Sequence, residues 1–175
     1  MSHVFVDESK ARDYLLISAV VVAADLGQAR RAIRALTLPG QPRLHMKKES
    51  NRRRRQILTT IDGLAPEVTI YRAGTLWRTE LERRDQCLHA LVADIADQGH
   101  TYLCLERDAS LVGRDRQQLI EATRATGCAD RLSYRHESAT AEPLLAIPDA
   151  VGWAWARGGD WRRRCEKVVT DTINL

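Results

Sequence analysis

Two adjacent carboxylates close an apolar run almost at the start of the chain, where His3-Val4-Phe5-Val6 leads into Asp7-Glu8-Ser9. A β-branched and aromatic run reads as a strand, and acids at its mouth belong at the edge of a sheet, where ligands and metals collect. Neighbouring strand residues project to opposite faces, so at most one of Asp7 and Glu8 shares a face with the core; Asp7 is the functional candidate. The structural alternative is a solvated turn, with Lys10 and Arg12 as counter-charges. A second strand, Thr101 to Leu105, runs into Glu106-Arg107-Asp108. A third acid, Asp149, lies inside the apolar segment Leu144 to Trp153, with Leu145, Pro148, Gly152 and Trp155 near it at helical spacing. Such an acid must be paired, hydrogen-bonded or coordinated to a cation. Its plainer role is an early-helix acid favoured by the dipole, Pro148 opening the helix. Oxygen-only acid clusters suit hard cations such as magnesium. Two such ions about 3.5–4 Å apart can activate water and stabilise the leaving oxygen of a phosphodiester. That chemistry needs three or four acids converging from different elements, and this chain can supply them.

The elements that must position these acids follow from the periodicity. Val4 to Asp7 and Tyr14 to Ala23 read as a strand hairpin. Asp25 reads as an N-cap for a helix from Leu26 to Leu36, and Pro39-Gly40-Gln41-Pro42 breaks the chain. The polar segment Leu44 to Ser50 precedes a helix from Arg52 to Leu64, capped by Ser50 or Asn51. A strand from Val68 to Ala73 and a long helix from about Leu76 to Ala96, stopped near Gly99, come next. After the strand Thr101 to Leu105, the pattern predicts a helix over Arg114 to Thr126, a strand over Leu132 to His136 and a helix over Glu142 to Ala156. A basic tail segment, Trp161 to Val169, closes the reading. With 175 residues and no composition break, the expectation is a single α/β domain over residues 1–175, a mixed sheet with helices on its faces.

The stretch Val4-Phe5-Val6-Asp7-Glu8-Ser9 with the strand Tyr14 to Ala23 resembles the opening of the bacterial family called domain of unknown function 3800. The segment Leu44-His45-Met46-Lys47-Lys48-Glu49 and the late Leu145-Ala146-Ile147-Pro148-Asp149-Ala150-Val151 are also similar. The resemblance implies a ribonuclease H-like fold, nuclease activity and a magnesium or manganese site held by Asp7, Glu106 and Asp149. This chain departs from the family pattern at Lys10, where a glycine is usual, and at Pro148, where alanine is usual. A ribonuclease H-like site also wants an acid from the first turn of its long central helix; Glu80 is the best candidate, with Glu82 behind it. Glu49 is a rival fourth acid, and either is also readable as an ordinary surface glutamate.

Basic residues cluster beside these acids. Arg52, Arg53, Arg54 and Arg55 cover a full helical turn and so cannot all face one partner. With Arg43, Lys47 and Lys48 they still make a dense positive region suited to nucleic-acid phosphates. Arg162-Arg163-Arg164 with Trp161 is a second patch; Trp153, Trp155 and Trp161 suit base stacking, core packing or an oligomer or protein interface. His136 is readable as a ligand, a proton shuttle or a satisfied histidine. No phosphate-binding Gly-rich loop, dinucleotide fingerprint or serine nucleophile elbow is present, so ATP-driven and hydride-transfer chemistry have no support. The four widely spaced cysteines, the absence of a membrane-length apolar run and the unremarkable N-terminus lead to the expectation of a cytoplasmic protein without membrane association. The functional expectation is a Mg- or Mn-dependent nuclease acting on RNA or DNA. The rival is a non-catalytic nucleic-acid- or protein-binding member of the same fold, including a subunit of a defence or mobile-element system.

Overall fold

The computed structural model describes residues 1–175 and contains one six-stranded sheet. Its strands are β1 (Ser2–Ser9), β2 (Tyr14–Val22), β3 (Glu67–Ala73), β4 (Tyr102–Glu106), β5 (Ser133–Glu137) and β6 (Val169–Asn174), in spatial order β5-β4-β1-β2-β3-β6. β1, β2 and β3 form an antiparallel meander, whereas β4 and β5 run parallel to β1, and β6 runs parallel to β3. The helices are α1 (Leu26–Leu36), α2 (Asn51–Leu64), α3 (Glu80–Gln98), α4 (Val112–Ala125), α5 (Ala146–Arg157) and the short α6 (Gly159–Arg163).

Alternation along the strands divides the core into two layers. Phe5, Leu15, Ile17, Ala19 and Cys104 face α1, α2 and α5, while Val4, Val6, Leu16, Leu103 and Leu105 face α3 and α4. Each fully buried aliphatic side chain contributes roughly 1.5–3 kcal/mol. The first layer presses α5 onto the sheet through Ile147, Ala150, Val151 and Ala154, all without solvent exposure. Gly152 lets the helix approach: a Cβ there would stand 2.6 Å from Ile17 Cδ1, well inside ordinary carbon–carbon contact.

Several element boundaries differ from the sequence expectation, each for a local reason. The long helix starts at Glu80 rather than Leu76, because Thr79 and Glu82 form a reciprocal capping box (Glu82 N–H to Thr79 Oγ1 3.1 Å, Thr79 N–H to Glu82 Oε2 2.9 Å). Asp25 makes no side-chain cap and sits in a 3₁₀ turn that runs into α1. Ser50 does cap α2, accepting from Arg53 N–H. The helix expected from Glu142 is a 3₁₀ turn, Pro143–Leu145, running into α5 at Ala146. Pro148 therefore falls within the first turn, where its missing N–H has no intrahelical partner to lose. β6 begins where the expected basic segment ends, at Val169, and is a strand the sequence reading does not assign, although Val169, Thr170, Thr172 and Ile173 are β-branched. No helix is long and apolar enough to cross a membrane.

Candidate active site

β1 and β4 lie side by side in parallel, and their register pairs Phe5 with Cys104 and Val6 with Leu105. One step further, Asp7 and Glu106 emerge on the face of Phe5 and Cys104, the face that α5 covers. Asp149 stands in the first turn of α5, above the same edge. All three acids line one open pocket of about 940 Å³. Glu8 leaves on the opposite face, as strand alternation requires.

A loop between α1 and α2 closes one side of this pocket. Leu44 and Met46 are buried, and the residues between and beside them, Arg43, His45 and Lys47, line the pocket. The Met46 N–H donates to Asp149 Oδ2 at 3.0 Å, tying the loop to α5, and His45 Nδ1 lies 3.5 Å from Asp149 Oδ1. The Arg43 guanidinium donates to Glu106 and comes within 3.3 Å of His45 Nδ1. Burial pushes the Asp7 carboxyl well above the usual carboxylate range, and the negative charges of Glu106 and Asp149 push it the same way. The Glu8 N–H, donating to Asp7 Oδ1 at 2.7 Å, opposes them without prevailing.

The acids thus share one electrostatic environment, but no group of three or more His, Cys, Asp or Glu side chains has geometry that could hold a metal ion. Arg43 supplies the positive charge at Glu106. Asp7, destabilised as an anion by two like charges, is the carboxylate with most to gain from an added cation. In donor chemistry the three acids fit a hard, oxygen-seeking ion.

No protein-family model and no curated protein matches this sequence.

The other candidate residues divide. Glu80 is the first residue of α3 but is half-exposed, its nearest cation being Lys10 at 3.8 Å, and it does not line the pocket. Glu82 is occupied by the capping box. Glu49 is buried away from the pocket and held by Arg53 (Nε to Oε2 3.1 Å) and Gln41. Lys10 lines the pocket but pairs with Glu8 at 2.9 Å, so the cation on the acids is Arg43 and not Lys10. Among the basic residues, Lys47 and Arg54 line the pocket. Arg54 is fixed by the carbonyls of Met46 (2.8 Å) and Lys47 (3.1 Å) and by Asn51 Oδ1 (2.8 Å). Arg53 is spent on Glu49 and the Leu36 carbonyl, Arg55 lies over Trp161, and Lys48 and Arg52 are exposed outside the pocket. Arg107 and Arg157 line it without having been singled out. The spacing of Asp149, Trp153 and Arg157, four residues apart on one helix, was a signal that could have found Arg157.

His136 does not join the acids. It lies on the other face of the sheet, with Nε2 3.0 Å from Asp115 Oδ2. Asp115 also accepts two hydrogen bonds from Arg84 (2.7 and 2.8 Å), and Arg84 Nη1 reaches Glu8 Oε2 at 2.5 Å. Tyr14 completes the cluster by donating to Glu8 at 2.5 Å. This network ties α3, α4 and β5 to the residue after Asp7 and so holds the mouth of β1, and two of its members, Glu8 and Arg84, also line the pocket. Arg84 and Asp115 fall on predicted helices and carry no motif, which is why sequence reasoning passed over them.

Proposed function

We propose that this protein is a metal-dependent phosphodiesterase acting on nucleic acid, with a ribonuclease H-like arrangement of its sheet. The observation that carries this reading is the convergence of Asp7, Glu106 and Asp149, from two parallel strand ends and one helix, in a pocket whose lining also includes the acids Glu8 and Asp108 and the cations Lys10, Arg43, Lys47, Arg54, Arg84, Arg107 and Arg157. The antiparallel β1–β3 meander, extended by parallel β4 and β5, supports the ribonuclease H-like assignment.

Asp7, Glu106 and Asp149 are not gathered into a metal-binding group while Arg43 holds Glu106; they are the residues that would hold magnesium or manganese, and the bound ion would supply a nucleophilic water at neutral pH and charge for the leaving oxygen. The cations on the rim hold the phosphate backbone of the substrate by charge. Arg43 has two partners to choose from. With substrate present, its guanidinium can leave Glu106 for a phosphate, whose two non-bridging oxygens accept the planar guanidinium fork in bidentate fashion as a carboxylate does. Glu80 and Glu49 are not needed for this reading, because neither lines the pocket.

The contact between Arg43 and Glu106 favours a second reading, in which the fold binds nucleic acid without cleaving it and the arginine stands permanently in place of a metal. Asp7→Asn separates the two. If the protein is a nuclease, wild type cleaves labelled RNA or DNA with Mn²⁺ and the variant does not, while fold and binding persist. Equal cleavage by Asp7→Asn would overturn the assignment of the acids. Strong binding that ignores a chelator, with no cleavage under any metal, would favour the second reading.

A further inference from the structure

The pocket continues along one stripe of α5. Asp149, Trp153 and Arg157 recur every fourth residue, about 6 Å apart along the helix axis, and all three line the pocket. Trp153 is half-buried, and Trp161 meets it edge-on, with ring centroids 5.0 Å apart and planes at 78°. Two guanidinium groups lie over the Trp153 ring, Arg54 at 4.4 Å and Arg157 at 5.5 Å from its centroid.

These two arginines differ in freedom. Arg54 is held by two carbonyls and an asparagine oxygen. Arg157 is exposed, makes no hydrogen bond or ion pair, and rests on the ring alone. The pattern repeats one step away, where exposed Arg55 lies 5.6 Å over Trp161. Trp155 is different, because Arg162 both stacks on it at 4.4 Å and donates twice to its carbonyl. Trp153 and Trp161 are therefore half-buried indoles beside the pocket, each covered by an arginine with no other engagement.

A guanidinium over an indole occupies the kind of position that a nucleobase takes when it stacks. A duplex keeps its bases stacked inside and offers phosphates and groove edges, so only an unpaired strand presents the π-faces such a platform uses. Resting on the phosphodiesterase reading of the acid pocket, we propose that Trp153 and Trp161, with Arg157 and Arg55, form a platform for the bases of an unpaired nucleic-acid strand. A base replaces Arg157 on Trp153, and the displaced guanidinium pairs with a phosphate. The strand then runs along α5 toward Asp149, so the platform selects single strands for the acid pocket.

The test is fluorescence anisotropy of the full chain, in chelator, with labelled oligothymidylate, labelled oligouridylate and a duplex of each strand with its complement. The platform requires at least one strand to bind about tenfold or more tightly than its duplex. Trp153→Leu, which keeps an apolar side chain but removes the π-face, should lose about tenfold of that affinity. Arg157→Ala removes an exposed side chain whose one contact is the Trp153 ring, and should lower the slope of log K against log salt by about 0.7, one phosphate contact on a single strand. If Trp153→Leu fails to fold, the Arg157→Ala slope decides. Duplex binding as tight as strand binding, a strand preference that survives both substitutions, or no binding of either strand would overturn the platform. Metal-dependent cleavage of duplex alone would overturn it while leaving the phosphodiesterase reading standing; strand binding without cleavage would do the reverse.

Discussion

Replacing Arg84 with methionine should be the most damaging single change to the scaffold behind the site. Arg84 and Asp115 are both nearly inaccessible, with side-chain exposures of 6% and 1%. Their bidentate pair leaves Asp115 otherwise bonded only to His136. Removing the guanidinium strands a buried carboxylate, and such a loss costs about 3–5 kcal/mol. At about 2–4 °C per kcal/mol for a domain of this size, the melting temperature should fall by about 6–20 °C. The half-exposed pair of Arg72 with Asp13, at 3.0 Å, is the control, and Arg72→Met should cost at most about 1 kcal/mol. The double variant Arg84→Met with Asp115→Leu should recover much of the loss, because it leaves no unpaired charge in that pair. The pH dependence has a definite sign. Burial pushes the Asp115 carboxyl up, but hydrogen bonds from Arg84 and His136 outweigh it and hold the group below its ordinary value. A depressed acid stabilises the fold above its unfolded pKa, and that stabilisation is lost as pH falls through the folded value. The gap between wild type and Arg84→Met should therefore narrow below about pH 4. Thermal melts followed by circular dichroism across pH decide the matter. An Arg84→Met variant no less stable than Arg72→Met would refute the reasoning.

Two further outcomes concern the acids themselves. Asp7 is raised, so its charged form is disfavoured in the folded state, and stability falls as pH rises from the unfolded pKa through the folded one. Asp7→Asn should therefore be more stable than wild type by about 0.5–2 kcal/mol at neutral pH, with little difference below pH ~4, as urea titrations at both pH values would show. Arg43→Met frees Glu106 from a charge-assisted hydrogen bond. Mn²⁺ should then bind about tenfold more tightly in the absence of nucleic acid, measured by calorimetry, since such a bond is worth about 1.5–3 kcal/mol and part of that is returned to water. Unchanged affinity would mean that Arg43 does not compete for the acid.

The sequence made the sheet and its acids legible for a simple reason: β1 and β4 are short apolar runs that stop at carboxylates, and parallel pairing of two such strands must bring their ends together. Alternation alone put Asp7 and Glu8 on opposite faces, and in the structure Asp7 neighbours Glu106 and Asp149 while Glu8 bonds to Tyr14 and Arg84. What could not be read was pairing between distant polar residues. Nothing local marks Arg84 as the partner of Asp115, or Arg43 as the partner of Glu106, because those contacts exist only once the helices have docked. Glu49 shows the same limit from the other side, since an acid beside a basic helix reads alike whether it faces a ligand or, as here, its own Arg53. The edge strand β6 lies almost wholly beyond the basic segment Trp161 to Val169 at which the sequence reading ends, although its β-branched residues on their own favour a strand.

The most direct measurement is calorimetric titration of Mn²⁺ and Mg²⁺ into the wild-type protein and into Asp149→Ala, with and without a non-cleavable oligonucleotide. Metal binding in wild type that strengthens with the oligonucleotide, and is lost in Asp149→Ala, is the result a carboxylate-held metal requires. Binding absent under every condition, or unchanged by removing Asp149, would contradict it.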